Sequence, residues 1–495
     1  MVLKKLSTKN LLFVTLIFCS LVLRLLYLGY SDYISDEPGT FFYRGGKKDP
    51  HMSKREFMLS QRKGPLQLIF GYIPYSIVGN YNNEFAQRLP FSIMNLLSVI
   101  VLYFLLIKVT NNHLIAFFGS FLFCVNGLVT AYGRIAQYQN LNFFFSLTSL
   151  YFFYDLVDKK EGLLRSSLVG TLLLSLSFLA HWYASLFLIP IFYLVTRFLL
   201  NKNFSVQYKV ALVFLNVLLV CAITLPFMIP YLNYMKSQAP RNTTYASRTL
   251  GFSGEWFRTS DLKQFKLYNP FLTLYVYLFF GAVGLLVSIK KYPMFSIWIG
   301  GVALFFMFFV KYSGLHFYNL FFPLIILVAF GIEFFINKFS GTRKKIFAGM
   351  IAFLLFFLFA QTYIIFVDHK KEYPWERENI FGFKTPKYTH KDEFRHKTGF
   401  PHKRYWDQIN EFINKQNLEN GEDFGYTTNE YPQIAKYYMK AEFRSADGFY
   451  AVGIKRPNSF ATDYKFPQIK NKHTVLKIKN EYDTTVVRIY RVEDD

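Results

Sequence analysis

Apolar runs of about twenty residues recur along the first three quarters of this chain, and they confine its fold to a lipid bilayer. LLFVTLIFCSLVLRLLYLGY, ALVFLNVLLVCAITLPFMIPYL and IFAGMIAFLLFFLFAQTYIIFV are three of them. Each has the ~20 residues that a helix needs to cross a hydrocarbon core. Only 18% of the 495 residues are charged, against roughly a quarter in a soluble chain. The chain reads as mainly α, a polytopic membrane helical bundle. About eleven spans are predicted, at 11–30, 88–108, 114–132, 140–157, 164–181, 183–201, 210–232, 270–289, 293–310, 317–336 and 346–367. The first follows Lys4, Lys5 and Lys9, and its apolar core is longer than a signal-peptide core, so it reads as a retained anchor.

Charge orients the bundle. With the N-terminus cytoplasmic, the inner connections hold Lys108, Lys159, Lys160, Arg165, Lys202, Lys209, Lys290, Lys291, Arg343, Lys344 and Lys345, the bias of positive-inside loops. The formal net charge of +24 sits at the ends of apolar runs, which favours lipid head groups and phosphate over nucleic acid as partners. Cys19, Cys124 and Cys221 all lie inside apolar runs, which excludes a disulfide framework or a zinc site. No internal repeat marks a transporter built from two halves.

This orientation sends the chemistry-bearing segments outside. The loop 31–87 opens with the acidic pair Asp36–Glu37 and carries LQLIFGYIPYSIVG, too short for a comfortable span and read as an interfacial helix, with a re-entrant segment as the alternative. Turns at Arg134 and His181, a basic loop at 233–269 and the turn at 311–316 face the same way. From about residue 369 the chain turns polar. RYWDQINEFINKQN has the helical spacing of Trp406, Ile409 and Ile413, and HTVLKIKN and TTVVRIYRV read as strands around a turn at 480–483. A transmembrane module, 1–368, followed by a small extracytoplasmic α/β domain, 369–495, is therefore predicted.

The order of the elements resembles a known family. It runs from an acidic pair after the first span to KGP at Lys63–Pro65, RLPFS at Arg88–Ser92, GRIAQYQ at Gly133–Gln139 and KYSGLHFYNLFFPLIIL at Lys311–Leu327. Over roughly residues 1–367 it is similar to the GT-C membrane glycosyltransferases, the branch of the protein O-mannosyltransferases and the lipid A aminoarabinose transferase. The resemblance implies inverting transfer of a sugar from a polyprenyl-phosphate donor to an extracytoplasmic acceptor, which would be a protein, a glycolipid or a cell-envelope glycan. It implies Asp36 as general base with Glu37 as its catalytic neighbour. It also implies Lys63, Arg88, Arg134, His316 and Tyr318 as ligands of the donor phosphate.

An attacking hydroxyl must lose a proton to a group in hydrogen-bond reach. A departing phosphate needs cations or donors rather than an acid. His181 and Gln137 complete the expected substrate groove. Membrane-boundary anchoring accounts for Lys63, Arg88, Arg134, His181, His316 and Tyr318 equally simply. Relatives place a carboxylate shortly after the arginine of GRIAQYQ, where this chain has Gln137, Gln139 and Asn140, and an arginine where it has Gly39. A divalent metal is thus compatible with the pattern but not required by it. A flippase for lipid-linked sugars and a non-catalytic glycan receptor are the alternatives. The Lys-, Asn- and Phe-rich usage leans towards a bacterial plasma membrane.

Overall fold

The computed structural model describes residues 7–34, 37–41, 53–61, 64–237, 259–311, 314–386, 388, 397–421, 423–430, 432–443, 449–457 and 473–492. Asp36, Lys63 and most of the basic loop 233–269 lie outside these residues. Among the described residues, seven helices are long and apolar enough to cross a membrane, nine if each of two bent pairs is one span. The other two predicted spans fall on the shorter helices Tyr138–Phe153 and Pro293–Phe309. The protein is an integral membrane protein.

One bend is built by Asn126. Its side chain accepts from the N–H groups of Leu128 and Val129, which stops His113–Val125 and caps a new helix, Gly127–Gly133, at 65°. Gly127 has no room for a side chain, since a Cβ would lie 1.8 Å from the carbonyl oxygen of Tyr268. Its N–H donates instead to Asn269 Oδ1 at 2.7 Å. Asn269 stands in the second break, between Leu262–Tyr268 and Thr273–Ser288, which meet at 110°. The two broken spans thus dock break to break, and the second supplies an acceptor for a backbone N–H that the first leaves at its interruption.

The helix Glu84–Thr110 has 27 residues, about 40 Å at 1.5 Å per residue. It exceeds a ~30 Å core, so its ends reach the boundaries. Its buried face is polar, with Arg88, Ser92, Asn95 and Ser98 in one stripe. Ser92 donates to Gly133 O at 2.6 Å, and Asn95 donates to Asn140 Oδ1 at 2.8 Å and to Val129 O at 3.2 Å. Arg24 Nε donates back to Asn95 Oδ1 at 3.0 Å. This stripe ties the first, second and third spans to the GRIAQYQ turn. Pro65–Val78 is a 14-residue helix with Ile69, Tyr72, Ile73 and Ile77 exposed, the form expected of an interfacial helix.

The C-terminal region forms a four-stranded sheet in the order Gly425–Thr428, Phe449–Ile454, Thr485–Val492, His473–Lys479. The first pair is parallel and the other two are antiparallel. Trp406–Asn420 is a helix that buries Trp406, Ile409 and Ile413, as its spacing predicts. The hydrophobic core of this region does not stop at residue 369. It takes in Tyr33, Phe41 and Tyr81 from the loop after the first span. The acidic turn and the C-terminal region therefore stand on one side of the bundle.

Candidate active site

The first helix, Thr8–Leu25, ends with its last carbonyls unsatisfied, as every helix does. Two arginines close over them. Arg134 Nη1 donates to Leu23 O and Leu26 O, both at 3.0 Å, and Nη2 donates to Tyr27 O at 3.2 Å. A cation at a helix C-terminus also opposes the negative end of the macrodipole. Arg88 continues the collar one turn further along the chain. Its Nη1 donates to Leu28 O at 3.1 Å and Ser31 O at 2.8 Å, and its Nη2 donates to Asp32 O at 2.9 Å.

The two remaining N–H groups of Arg88 grip Glu37 in a bidentate pair. Nε reaches Oε1 and Nη2 reaches Oε2, each at 2.8 Å. Glu37 begins the 3-10 turn Glu37–Thr40 and is fully buried. It also accepts from Ile34 N and Ala136 N, both at 2.9 Å. All five guanidinium donors of Arg88 are engaged, and Glu37 meets four donors. This geometry differs from the roles that the resemblance implies for the two residues. In this geometry Arg88 frames the site and has no donor left for a phosphate, and Glu37 locks the turn and has no free lone pair directed at a substrate. Arg134 is turned to the same purpose, although it also lines a cleft with Arg88, Ser31, Ile34 and Phe400. Its positive charge on this side of the bundle is a helix cap.

A second group gathers at the ends of Leu163–Ala180 and Tyr138–Phe153. His181 is the C-cap of the former, and its Nδ1 accepts from Tyr183 N–H at 3.2 Å. The neutral ring therefore carries its proton on Nε2. The His181 ring stacks on Tyr138, with centroids 4.2 Å apart and planes 8° apart, and lies 5.6 Å from His316 at 16°. Tyr183 stacks on His316 at 4.4 Å. Tyr318 is buried against Tyr132 and Phe143, with its ring 6.1 Å from His316.

Gln67 Oε1 accepts from Tyr138 N–H at 3.0 Å, while its buried Nε2 has no hydrogen-bond partner among the described residues. Asn142 Oδ1 is in the same state, and its Nδ2 donates to His181 O at 3.4 Å. Gln137 is buried at the start of Tyr138–Phe153. Its carbonyl takes bonds from Asn140 N and Nδ2, both at 3.3 Å. Asn140 Nδ2 also bonds Tyr132 O and Ile135 O, so the amide in GRIAQYQN folds its own turn.

Lys63 lies outside the described residues, but its neighbour Gly64 fixes the chain there. Gly64 N–H donates to Ala180 O at 3.2 Å, and a Cβ on Gly64 would sit 1.8 Å from Leu179 O. The glycine of KGP is thus a close-contact glycine beside His181. His181, His316, Tyr138, Tyr183, Gln67 and Gly64 form one group. Glu37, Arg88 and Arg134 form another, under the acidic turn. Among the described residues, no three His, Cys, Asp or Glu side chains come together as a metal site.

Sequence reasoning passed over Asp32. Its buried carboxylate accepts Arg404 N–H at 2.5 Å, its N–H donates to His402 O at 3.1 Å, and Arg404 forms a buried pair with Glu372. Partners more than 300 residues away leave no local signal. Burial pushes the Asp32 carboxyl up to about 7, with Glu84 adding to the rise and the Arg404 N–H, Lys403 and the Arg404 guanidinium opposing it. A carboxyl raised in the fold binds its proton more tightly there than in the unfolded chain. Stability from this group is therefore full at about pH 4 and falls as pH rises towards 7. Asp32→Asn keeps an acceptor and removes the titration. Melting of the two proteins in detergent is expected to coincide at about pH 4 and below, to separate progressively as pH rises and to differ most above about pH 7, with the variant the more stable. Comparing the two cancels Glu378, also raised to about 7, and Lys397, lowered to about 6, both chiefly by burial. Parallel curves across that range would reject the assignment.

No family model matches the chain, and neither does any curated protein sequence. Solved structures do. ArnT from Cupriavidus metallidurans, bound to undecaprenyl phosphate, aligns over 98% of both chains with a TM-score of 0.54 at 11% identity, and the apo state of the same protein gives the same values. The yeast (S. cerevisiae) protein O-mannosyltransferase Pmt1-Pmt2 complex, bound to the sugar donor, aligns over 47% of this chain and 34% of its own at 16% identity, and its TM-score of 0.36 is too low to build on. The chain has the GT-C fold. The likeness extends through the C-terminal region, beyond the residues 1–367 in which the motifs are found.

Proposed function

We propose that this GT-C chain is a glycosyltransferase that moves a hexosyl or pentosyl group from a polyprenyl-phosphate donor to an extracytoplasmic acceptor, with inversion at the anomeric carbon. The observation that carries the reading is the acidic turn. Glu37, next in sequence to Asp36, is pinned from within by Arg88, and Tyr33 and Phe41 are seated on an aromatic cluster, in a fold shared end to end with a protein solved with undecaprenyl phosphate. A turn held that firmly at a membrane boundary suits a carboxylate that must meet its substrate in one geometry.

In this reading Asp36 is the general base. The acceptor hydroxyl oxygen bonds to the anomeric carbon, its proton passes to Asp36, and the bond from that carbon to the phosphate oxygen breaks with its electron pair leaving on the phosphate. The growing phosphate charge is met by Lys63 and by N–H donors of the His181 and His316 group, with the Gln67 amide, whose Nε2 has no hydrogen-bond partner among the described residues, as a further donor. Trp182 and Tyr183, stacked at 4.0 Å, give an aromatic wall for the sugar or the first isoprene units. Arg88 and Arg134 hold the frame. The charge pattern of the loops supports a cytoplasmic N-terminus, an external C-terminal region and a bacterial plasma membrane as the site of action.

Mass spectrometry of envelope glycans, glycolipids and glycoproteins tests the assignment. Cells lacking the chain are expected to lose one glycosyl mass from one acceptor class, and to regain it with the wild-type chain. Loss of the sugar from both donor and acceptor pools would point to a step before transfer and reject the reading.

A further inference from the structure

The C-terminal region reaches the acidic turn through two adjacent tyrosines. Tyr437 and Tyr438 end the helix Pro432–Tyr438, and both are buried although the helix itself belongs to the external sheet domain. The Tyr438 hydroxyl accepts the backbone N–H of Tyr33 at 2.8 Å and donates to Glu84 Oε1 at 2.7 Å. One phenol thus links the segment entering the acidic turn to the first residue of the second span. The Tyr437 hydroxyl donates to Tyr81 O at 2.9 Å, the same carbonyl that takes the Tyr33 hydroxyl at 2.6 Å.

The far end of the turn returns to the same place. Phe41 packs on Tyr33 at 4.9 Å, stacks on Tyr81 at 4.9 Å and meets Tyr437 at 5.6 Å. Tyr81 in turn stacks on Tyr75 of the interfacial helix at 4.3 Å. Tyr33 and Phe41 bracket the Glu37–Thr40 turn, so both of its ends are seated on one aromatic cluster whose outer half comes from the C-terminal region. Burying a tyrosine requires its hydroxyl to find partners. Here those partners are backbone and carboxylate groups of the turn and its support, more than 350 residues away in sequence.

We propose that Tyr438 is a positioning residue for the acidic turn, acting through the backbone of Tyr33, and that the C-terminal region is a clamp on the catalytic loop. The proposal rests on the reading of that turn as catalytic. Tyr438→Phe keeps the ring and removes the link between Tyr33 and Glu84. Tyr437→Phe removes the bond to Tyr81 and serves as a second variant should the first fail to fold. Ile489→Val, at a fully buried sheet position, loosens the domain core without touching the turn.

Hydrogen exchange on the full chain in lipid nanodiscs, with no substrate added, is expected to show the Tyr33 amide exchanging roughly tenfold faster in Tyr438→Phe, since one hydrogen bond is lost. The Ile489→Val protein keeps the wild-type rate at that amide. With polyprenyl-phosphate sugars extracted from the host membrane, kcat is expected to fall between roughly 10- and 100-fold in Tyr438→Phe with KM for the donor unchanged, the signature of a displaced reacting group. Unchanged exchange at Tyr33 overturns the clamp. Faster exchange with an unchanged kcat leaves the contact but overturns the positioning role. The exchange arm needs no substrate, so an error in the glycosyltransferase reading shows separately, as an absence of transfer by the wild-type protein.

Discussion

If the chain is the glycosyltransferase proposed above, Asp36→Asn is expected to lower sugar transfer by about 10²–10⁴-fold, the usual cost of losing a general base, while the protein stays folded and binds a polyprenyl phosphate as the wild type does. The surroundings of the turn sharpen this expectation. The adjacent carboxylate, Glu37, is the natural substitute, but it is buried and engaged by Arg88, Ile34 N and Ala136 N. To act as a base it would have to abandon a buried guanidinium. No compensation from Glu37 is therefore expected, and the pH–rate profile of the residual activity should lose its acidic limb. The measurement is single-turnover transfer from a radiolabelled donor pool, beside binding of undecaprenyl phosphate to the same preparation. Near-normal turnover by a folded, ligand-binding Asp36→Asn protein would remove Asp36 from the mechanism.

The parts of this molecule that could be read from sequence are those set by local pattern. Apolar length places a helix on every predicted span, and alternation predicts the strands His473–Lys479 and Thr485–Val492 around their turn. What hydropathy does not encode is a break inside a span. Asn126–Gly127 looks like a tolerable pair within an apolar run, and only the arrival of Tyr268 and Asn269 makes it a bend. The same limit applies to the site. The acidic pair stands out because carboxylates are scarce beside a first span, KGP stands out at the start of the interfacial helix, and His181 stands out as a polar residue at a span end. The division of labour among them does not, because an arginine at a membrane boundary has the same sequence signature whether it meets phosphate or a helix end. Arg88 and Arg134 are distinguished only by the carbonyls of residues 23–32 that surround them. Tyr437 and Tyr438 carry no signal at all, since an adjacent tyrosine pair in an aromatic-rich chain is unremarked until its hydroxyls are followed to Tyr81, Tyr33 and Glu84.

The Glu37–Arg88 pair has the largest expected effect on the fold itself. With 0% and 1% of the two side chains exposed, removing one charge leaves the other buried without its partner, a change that typically costs about 3–5 kcal/mol. Glu37→Gln strands the guanidinium, and Arg88→Met strands a buried carboxylate that loses its cation while keeping the Ile34 and Ala136 N–H groups. Each single variant is expected to unfold far more readily in detergent than the wild type. The double variant Glu37→Gln/Arg88→Met removes both charges and should recover much of that loss, because a buried pair replaced as a unit forfeits little net stability.

Transfer should not recover with it. The double variant still lacks the donors that collar Leu28 O, Ser31 O and Asp32 O, so the backbone leading into the acidic turn is released even where the bundle survives. Stability and activity thus part company in a way that separates a frame residue from a phosphate ligand. Were Arg88 a ligand, Arg88→Met would leave melting nearly unchanged and raise KM for the donor, and the double variant would be no more stable than the single. If it is the frame, melting falls first, the second substitution restores it, and kcat stays low throughout.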